Sequence, residues 1–211
     1  WVLLVAQVAS FSEEGHIQGP VTPLGFILLE DEIRSTASQT VQYFKEQGVA
    51  LKVISGDDPY TVSGIAQKVG IPNADQYIDC SQLNTEQDIR EAVARYSVFG
   101  RVRPEQKKAF VLALQEEGHT VAMTGDGVND VLALKAADCS VAMASGSDAA
   151  RNVAQLVLVN NDFASMPEVV AEGRRSINIL QRSASIFLVK TIFSIVMAVL
   201  FILLPWQYPF M

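Results

Sequence analysis

The protein has 211 residues, 16 Lys and Arg against 23 Asp and Glu, a net charge of -7 and 49% hydrophobic residues. This composition excludes a disordered chain, and its acidity argues against a partner bound through nucleic-acid phosphates. The two cysteines, Cys80 and Cys139, lie far apart, which excludes a zinc cluster or a disulfide framework and indicates a reducing compartment. The apolar start at residues 1–9 lacks the basic flank of a signal peptide, and the chain is interpreted as part of something longer.

Short β-rich segments alternate with helical ones between Leu24 and Leu158, which is typical of a parallel sheet wrapped by helices. The predicted strands are residues 24–29, 50–54, 97–102, 119–123, 139–143 and 154–159. The predicted helices between them are residues 33–47, 59–69, 104–117 and 129–136. The polar segment 76–88 is predicted to be an irregular surface excursion. The predicted fold class is therefore α/β, a Rossmann-like parallel sheet with helices on both faces.

The C-terminal part predicts a helix that is long and apolar enough to cross a membrane. Residues 186–204 cover roughly 28 Å as a helix, close to the ~30 Å of bilayer hydrocarbon. Basic and aromatic residues flank this segment as cytoplasmic and interfacial anchors would, namely Arg174, Arg175 and Arg182 before it and Trp206 and Tyr208 after it. A cell-membrane location with residues 1–185 in the cytoplasm is the preferred interpretation, and a buried helix of a soluble core is the alternative.

Three polar residues interrupt the apolar segment, Lys190, Thr191 and Ser194. Lys190 and Ser194 share a helix face, and a charge at this depth is a candidate functional residue. A lysine that snorkels towards the cytoplasmic interface is the other interpretation. Before this segment, residues 163–185 are amphipathic and predict a stalk helix continuous with it.

Polar clusters follow three of the predicted strands, where an open α/β sheet binds its ligands. Ser55, Gly56 and Asp57 follow the second strand and could offer backbone N–H groups and a hydroxyl to a phosphate, although such a cluster is more often an ordinary helix cap. Lys107 lies in the first turns of the helix after the third strand, and a single helical lysine is usually only solvated.

The third cluster is the Gly-rich loop Met123 to Asp130, which contains two aspartates and an asparagine. Asp126 and Asp130 offer carboxylate oxygens suited to Mg²⁺, with Asn129 between them and glycines that let the backbone approach a ligand. Turn and capping chemistry alone is the alternative explanation. Taken together, the three clusters indicate a phosphate surrounded by a hydroxyl, an ammonium and a metal ion, as phosphoryl transfer requires.

These residues closely resemble the phosphorylation domain of P-type ATPases, a branch of the haloacid dehalogenase-like superfamily, over essentially the whole chain. The most specific element is TGDGVND, residues 124–130, which matches the hinge motif of that family in full. The resemblance implies that Asp126 is the Mg²⁺ ligand, that Asp130 supports the metal site, and that Asn129 hydrogen-bonds the phosphoryl group.

Two further motifs carry the resemblance. Residues 55–57 match the TGD loop with Ser55 in place of threonine, which implies phosphate contact and water positioning, with Asp57 among the catalytic residues. Residues 101–107 match R-V-x-P-x-x-K, which implies that Lys107 neutralises phosphoryl oxygens and that Arg101 lies near the nucleotide. Residues 31–34 resemble the ribose-binding D-P-x-R element, with Glu32 in place of proline.

The resemblance also implies a domain layout. Residues 1–162 would form an incomplete phosphorylation domain, 163–185 the stalk, 186–204 the fifth membrane helix and 205–211 its interfacial end. The family nucleophile, the aspartate of D-K-T-G-T, does not occur in this sequence and is expected upstream, together with a nucleotide-binding domain of the same protein. We therefore expect residues 1–211 alone to be inactive.

The implied activity is ATP hydrolysis with Mg²⁺, coupled to transport of an ion across the bilayer. Calcium-pump relatives carry an asparagine and an acidic residue at positions aligned with Thr191 and Ser194, whereas this span has no carboxylate. A cation is preferred from the family alone, and its oxygen ligands would then come from other helices. A haloacid dehalogenase-like phosphatase and a catalytically silent membrane-tethered regulator are the alternatives.

Overall fold

The computed structural model describes residues 2–12, 14–29 and 32–203. Predictions for Asp31, Leu204 and residues 205–211 therefore lie outside the described residues. The chain forms two compact units, one before Thr36 and one from Thr36 onward. The domain boundaries expected at 162 and 185 stay predictions.

The first unit is an antiparallel hairpin of two strands, β1 (Val2–Phe11) and β2 (Ile17–Leu28). Its turn is closed by the N–H of Gly15, which donates to the carbonyl of Ser12, and Gly15 has a φ of 81° that favours glycine. The strand predicted at 24–29 exists as the end of β2, but its assignment to the parallel sheet is wrong, because it pairs with the preceding strand instead.

The second unit contains six parallel strands in two sheets. The first sheet has the order β3 (Val53–Ile54), β5 (Val98–Gly100), β4 (Tyr77–Asp79), and the second has the order β6 (Ala122–Gly125), β7 (Cys139–Met143), β8 (Leu156–Leu158). The predicted parallel α/β class is thus confirmed, whereas the hydrogen bonds between the described strands form two sheets instead of one.

Helices cover both faces of each sheet. They are α1 (Ala37–Glu46), α2 (Pro59–Val69), α3 (Glu86–Arg95), α4 (Pro104–Glu116), α5 (Val131–Ala136), α6 (Asp148–Val153) and α7 (Met166–Leu203). In β5, Val98 packs in a cluster with α2, while its neighbour Phe99 packs on the other face with α3 and α4. In β7, Val141 packs with residues of α1 and α7, while its neighbour Ala142 packs on the other face with residues of α4, α5 and α6.

Local capping explains where two of these helices begin. Asp58 accepts a hydrogen bond from the N–H of Tyr60 and Pro59 occupies the first turn of α2, which ends at Gly70 in the left-handed region. Thr85 and Asp88 form a reciprocal capping box that begins α3. The prediction that residues 76–88 are irregular is wrong, because this segment contains β4 and the first turn of α3.

The start of α7 belongs to the core. Met166 packs with Phe44, Val141 and Leu158 in one buried cluster. About two turns further along the helix, Arg174 donates a hydrogen bond to Oε1 of Gln47. The whole helix has 38 residues and is about 57 Å long, and no residue of its most apolar 18-residue window is buried. Its length and composition suit a membrane span, as predicted.

Candidate functional site

The first predicted phosphate loop, residues 55–57, is hydrogen-bonded through its backbone to the end of β5 and the residues that follow it. Ser55 N–H donates to the carbonyl of Phe99, Val102 N–H donates to the carbonyl of Ser55, and Arg101 N–H donates to the carbonyl of Asp57, over 2.8 to 3.0 Å. The Ser55 hydroxyl donates to Oδ2 of Asp57 over 3.1 Å and accepts from its N–H over 3.1 Å. Gly56 and Asp57 are exposed, so this turn presents its backbone to solvent at the start of α2.

Arg101 is held between two carboxylates. Its Nη1 donates to Oδ2 of Asp79 over 2.9 Å and its Nη2 donates to Oδ2 of Asp58 over 2.8 Å. The backbone of Arg101 has a φ of 51°, which is uncommon outside glycine. The side chain thus ties the ends of β3, β4 and β5 together. Its proximity to a nucleotide, which the resemblance implies, stays a prediction.

Hydrogen bonds keep the carboxylate of Asp79 ionised for this contact. The hydroxyl and the N–H of Ser81 both donate to Asp79 and lower its pKa, with a smaller contribution from Arg101. The neighbouring Cys80 is buried, which raises the pKa of its thiol to about 12, with Asp79 adding to the shift. A thiol of this kind stays protonated near neutral pH and is not a reactive nucleophile.

The second and third predicted clusters meet in a buried ion pair. Nζ of Lys107, on the first turns of α4, lies 2.6 Å from Oδ1 of Asp130, and the two side chains are only 15% and 8% exposed. The other oxygen, Oδ2 of Asp130, accepts from the N–H of Gly127 over 3.1 Å. Both oxygens of Asp130 therefore have partners, so Asp130 shapes the loop and orients Lys107.

Asp126 lies on the same loop but presents a different surface. Its backbone carbonyl accepts from the N–H of Ser147 over 2.7 Å, while its carboxylate is exposed and makes no hydrogen bond or ion pair within the described part of the chain. Asn129 is also exposed. The loop thus offers one available carboxylate and one carboxamide beside the Lys107–Asp130 pair.

The donor set fits a magnesium ion that relies on phosphate and water for most of its ligands. Within residues 2–12, 14–29 and 32–203, no group of three His, Cys, Asp or Glu side chains could hold a metal ion. Mg²⁺ typically uses one or two carboxylates plus substrate oxygens, so Asp126 alone meets the protein's share of that requirement. Asp130 would act on the metal indirectly, through the shape of the loop.

The structure joins some of the predicted site residues and leaves others unconnected. Lys107 and Asp130 are in contact, but among the described residues no hydrogen bond or ion pair links Ser55 to either of them or to Asp126. Their convergence on one phosphate stays a prediction.

On α7, Thr191 and Ser194 donate their hydroxyls to the carbonyls of Phe187 and Lys190 within the helix.

Sequence reasoning missed several residues that hold these loops. Asp58 and Asp79 bind Arg101, and Ser147 anchors the Asp126 loop. Gln106 is buried, donates to the carbonyls of Cys80 and Leu83, and accepts from the N–H of Arg103. Asp58 before Pro59 and Gln106 two residues after Pro104 gave capping signals, but these signals did not indicate the long-range contacts that both residues make.

Close packing in the loop leads to a prediction for Gly125. A Cβ at this position would lie 2.6 Å from Cβ of Asp130, closer than side chains pack. We expect Gly125→Ala to destabilise the protein by about 1–3 kcal/mol through overpacking, and to lower the midpoint of thermal unfolding. Gly64→Ala is the control, because a Cβ at Gly64 in α2 meets nothing within 4 Å and alanine favours a helix. Equal shifts for both variants would contradict the packing argument.

Comparisons with known proteins show which family the chain resembles. The haloacid dehalogenase-like hydrolase family matches residues 4–138. Two relatives are a calcium-transporting ATPase CtpE of Mycobacterium bovis, 48% identical over 94% of this chain and 25% of its own length, and its counterpart in Mycolicibacterium smegmatis, 50% identical over the same shares. A probable cation-transporting ATPase of Streptococcus pneumoniae is 48% identical over 85% of this chain and 23% of its own length. The chain therefore spans about a quarter of the length of these relatives.

Solved structures give the same picture of the fold. A zinc-transporting PIB-type ATPase is similar with a TM-score of 0.57 and 27% identity, over 82% of this chain and 26% of the other. The catalytic domain of the CPx-ATPase CopB is similar with a TM-score of 0.52 and 24% identity, over 79% of this chain and 57% of the other, which concerns the fold alone.

Proposed function

This chain belongs to the haloacid dehalogenase-like hydrolases and, within them, to the P-type cation-transporting ATPases, and from that membership we propose that it supplies one half of a phosphorylation site. That half would be the Mg²⁺- and phosphate-binding side, and α7 would couple it to the membrane. The observation that carries the proposal is the buried contact of Lys107 with Asp130, inside the loop that also exposes Asp126.

The residues of this chain would divide the work at the phosphate. Lys107 places an ammonium where charge develops on the phosphoryl oxygens, and Asp130 holds that ammonium in one orientation. Asn129 donates a hydrogen bond to the phosphoryl group, and the backbone N–H of the exposed Gly56 adds to the anion site just before α2. Asp57 orients the Ser55 hydroxyl, which in turn positions the water that hydrolyses the phosphate.

Asp126 would hold the Mg²⁺ ion, because its carboxylate is the exposed one of the two in this loop. Bound there with ATP, the ion would offset charge on the phosphoryl oxygens. The attacking aspartate would come from an upstream part of the same protein, since no D-K-T-G-T occurs in this sequence. Its carboxylate oxygen would bond to the γ-phosphorus while the bond to the β–γ bridging oxygen breaks and ADP leaves.

The transported species is proposed to be a cation, and calcium is the first candidate, because two relatives carry calcium transport in their names. Residues 186–204 would lie in the cell membrane with the preceding residues in the cytoplasm. Lys190, Thr191 and Ser194 are the polar residues available on the transport path. Stimulation of Mg²⁺-dependent ATP hydrolysis by calcium, compared with zinc and sodium, would identify the ion.

Acyl-phosphate labelling tests the division of the site between chain segments. We expect the full-length protein incubated with γ-labelled ATP and Mg²⁺ to give acid-stable, hydroxylamine-sensitive label, because an aspartyl phosphate has those properties. Residues 1–211 expressed alone should give none. Label on residues 1–211 would place a nucleophile within this sequence and refute the proposed division, and an unlabelled full-length protein would favour the silent regulator.

A further inference from the structure

The loop between β7 and α6, residues 144–147, packs directly against the backbone of Asp126. The N–H of Ser147 donates to the carbonyl of Asp126 over 2.7 Å. A Cβ at Gly146 would lie 2.7 Å from that carbonyl oxygen, nearer than real Cβ atoms come to a backbone atom. Because the atom in the way belongs to the backbone, no side-chain rotation can relieve the clash. Residues 144–147, which we call the support loop, therefore fix where the backbone of Asp126 lies.

Asn161 holds the support loop from the side away from Asp126. Its Oδ1 accepts a hydrogen bond from the N–H of Ser145 over 2.7 Å. Only one residue separates Ser145 from Ser147, whose N–H binds Asp126, so the two hydrogen bonds hold nearly adjacent peptide groups. Asn161 has a φ of 55°, a left-handed backbone in which asparagine and aspartate are enriched among non-glycine residues. This position thus combines an unusual backbone with a side-chain acceptor.

Further hydrogen bonds keep the support loop in one conformation. The N–H of Ala144 donates to the carbonyl of Leu158 over 3.0 Å, and the carbonyl of Ala144 accepts from Nη1 of Arg151. The N–H of Gly146 donates to the carbonyl of Met143 over 3.0 Å. A loop tied at this many points moves as a unit, so a displacement at one end reaches the other.

Asn161 itself belongs to the segment that leads from β8 into α7. Its N–H donates to the carbonyl of Leu158 at the end of β8 over 3.2 Å. Asp162 caps the turn that follows, and this turn ends at Met166, which is packed in the core. The position of the Asn161 side chain therefore depends on where α7 begins.

We propose that Asn161 is a positioning residue for Asp126, acts through the support loop, and sets the affinity of the site for Mg²⁺. The proposal rests on the proposed function in one respect, the binding of Mg²⁺ by Asp126. Mg²⁺ demands near-ideal octahedral geometry, so a small displacement of the Asp126 backbone weakens its binding. A shift at the start of α7 would reach the metal loop by the same contacts.

The test compares two substitutions of Asn161 in the full-length protein. Asn161→Gly tolerates the left-handed backbone and deletes the acceptor, whereas Asn161→Asp keeps an acceptor oxygen. We expect Asn161→Gly to raise the free Mg²⁺ concentration for half-maximal ATP hydrolysis about fivefold, the effect of one lost hydrogen bond, with turnover at saturating Mg²⁺ within about a factor of two. Asn161→Asp should stay close to the wild-type value.

A binding measurement separates positioning from a general loss of stability. The midpoint of thermal unfolding of the full-length protein is followed as Mg²⁺ is added in the presence of orthovanadate, a stand-in for the phosphoryl group. The half-saturating Mg²⁺ concentration should rise in Asn161→Gly by the same factor as in the activity assay. Asn160→Ala is the matched control, because Asn160 donates to Ser165 in the same turn. It should lower only the midpoint without Mg²⁺.

The outcomes separate this inference from the proposed function. An unchanged half-saturating Mg²⁺ concentration in Asn161→Gly, or an equal rise in Asn161→Asp or Asn160→Ala, would overturn the positioning role while the Mg²⁺ site at Asp126 stands. Gly146→Ala pushes on the Asp126 backbone directly and should raise the value at least about tenfold, which keeps the test decisive if Asn161→Gly does not fold. No rise there would also overturn the role. A wild-type protein that Mg²⁺ does not stabilise would overturn both proposals.

Discussion

Asp126→Asn in the full-length protein is expected to abolish Mg²⁺-dependent ATP turnover while leaving membrane insertion unchanged. The variant removes the charge of the one available carboxylate in the TGDGVND loop, and it keeps the backbone carbonyl that accepts from Ser147. Turnover should fall at least about 100-fold. The loss of a residue that only orients a metal ligand costs up to about that much, and the loss of the ligand itself should cost more. The measurement is the dependence of phosphate release on Mg²⁺ concentration in purified protein.

A matched control removes the same charge elsewhere. Asp75→Asn changes an exposed aspartate outside the three loops and should leave turnover within a factor of two of the wild type. Membrane extraction with carbonate checks that both variants are inserted. Near-normal turnover in Asp126→Asn would show that the metal assignment is wrong.

Lys107→Met is expected to cause the second large effect, because it leaves a buried carboxylate unpaired. The ion pair with Asp130 is almost fully buried, and removing one partner of such a pair costs about 3–5 kcal/mol. We expect a lower midpoint of thermal unfolding together with loss of acyl-phosphate formation. Lys108→Met, at an exposed position next along the helix, should change stability by no more than about 0.5 kcal/mol.

A double variant separates the two consequences of Lys107→Met. Lys107→Met with Asp130→Leu replaces both charges with apolar groups, and replacing a whole buried pair is often neutral. Stability should therefore recover substantially, whereas acyl-phosphate formation should stay absent because the ammonium is missing. Recovery of neither property would point to damage of the loop itself and contradict the ion-pair explanation.

Elements with strong local signals were predicted to the residue. The prediction for residues 59–69 coincides with α2, because Asp58, Pro59 and Gly70 mark its two ends through capping and backbone geometry. The strand predicted at residues 139–143 also coincides with β7, a short segment of apolar and small residues whose three central members are buried. Such signals depend only on neighbours along the chain.

The sequence also contains a local signal for α3. Thr85 and Asp88 have the spacing of a capping box, and Ile89, Ala92 and Val93 have helical periodicity. The polar character of residues 76–88 hid both α3 and the edge strand β4. A capping box followed by apolar residues at three and four positions is therefore stronger evidence than the polarity of the segment around it.

Long-range arrangements could not be predicted in the same way. Arg101 pairs with Asp58 and Asp79, which are 43 and 22 residues away, and no local pattern reports a pairing over that separation. The division of six parallel strands into two sheets also depends on tertiary contacts. The sequence predicts that Lys107 and Asp130 lie near one phosphate, because of the chemistry of their side chains. It does not predict that the two side chains contact each other.

The anchoring of Met166 beside β7 gives α7 a mechanical meaning. Met166 in the first turn is packed against β7, which pairs with the strand that precedes Asp126, and the rest of the helix is unbroken. A rotation of α7 about Met166 would therefore move the whole helix as one rigid body. A tilt of about 5° at that pivot would sweep the far end by about 5 Å over a length of about 57 Å. In the proposed pump, motions too small to disturb the packing at the phosphate would thus be large enough to open or close a passage on the opposite side of the bilayer.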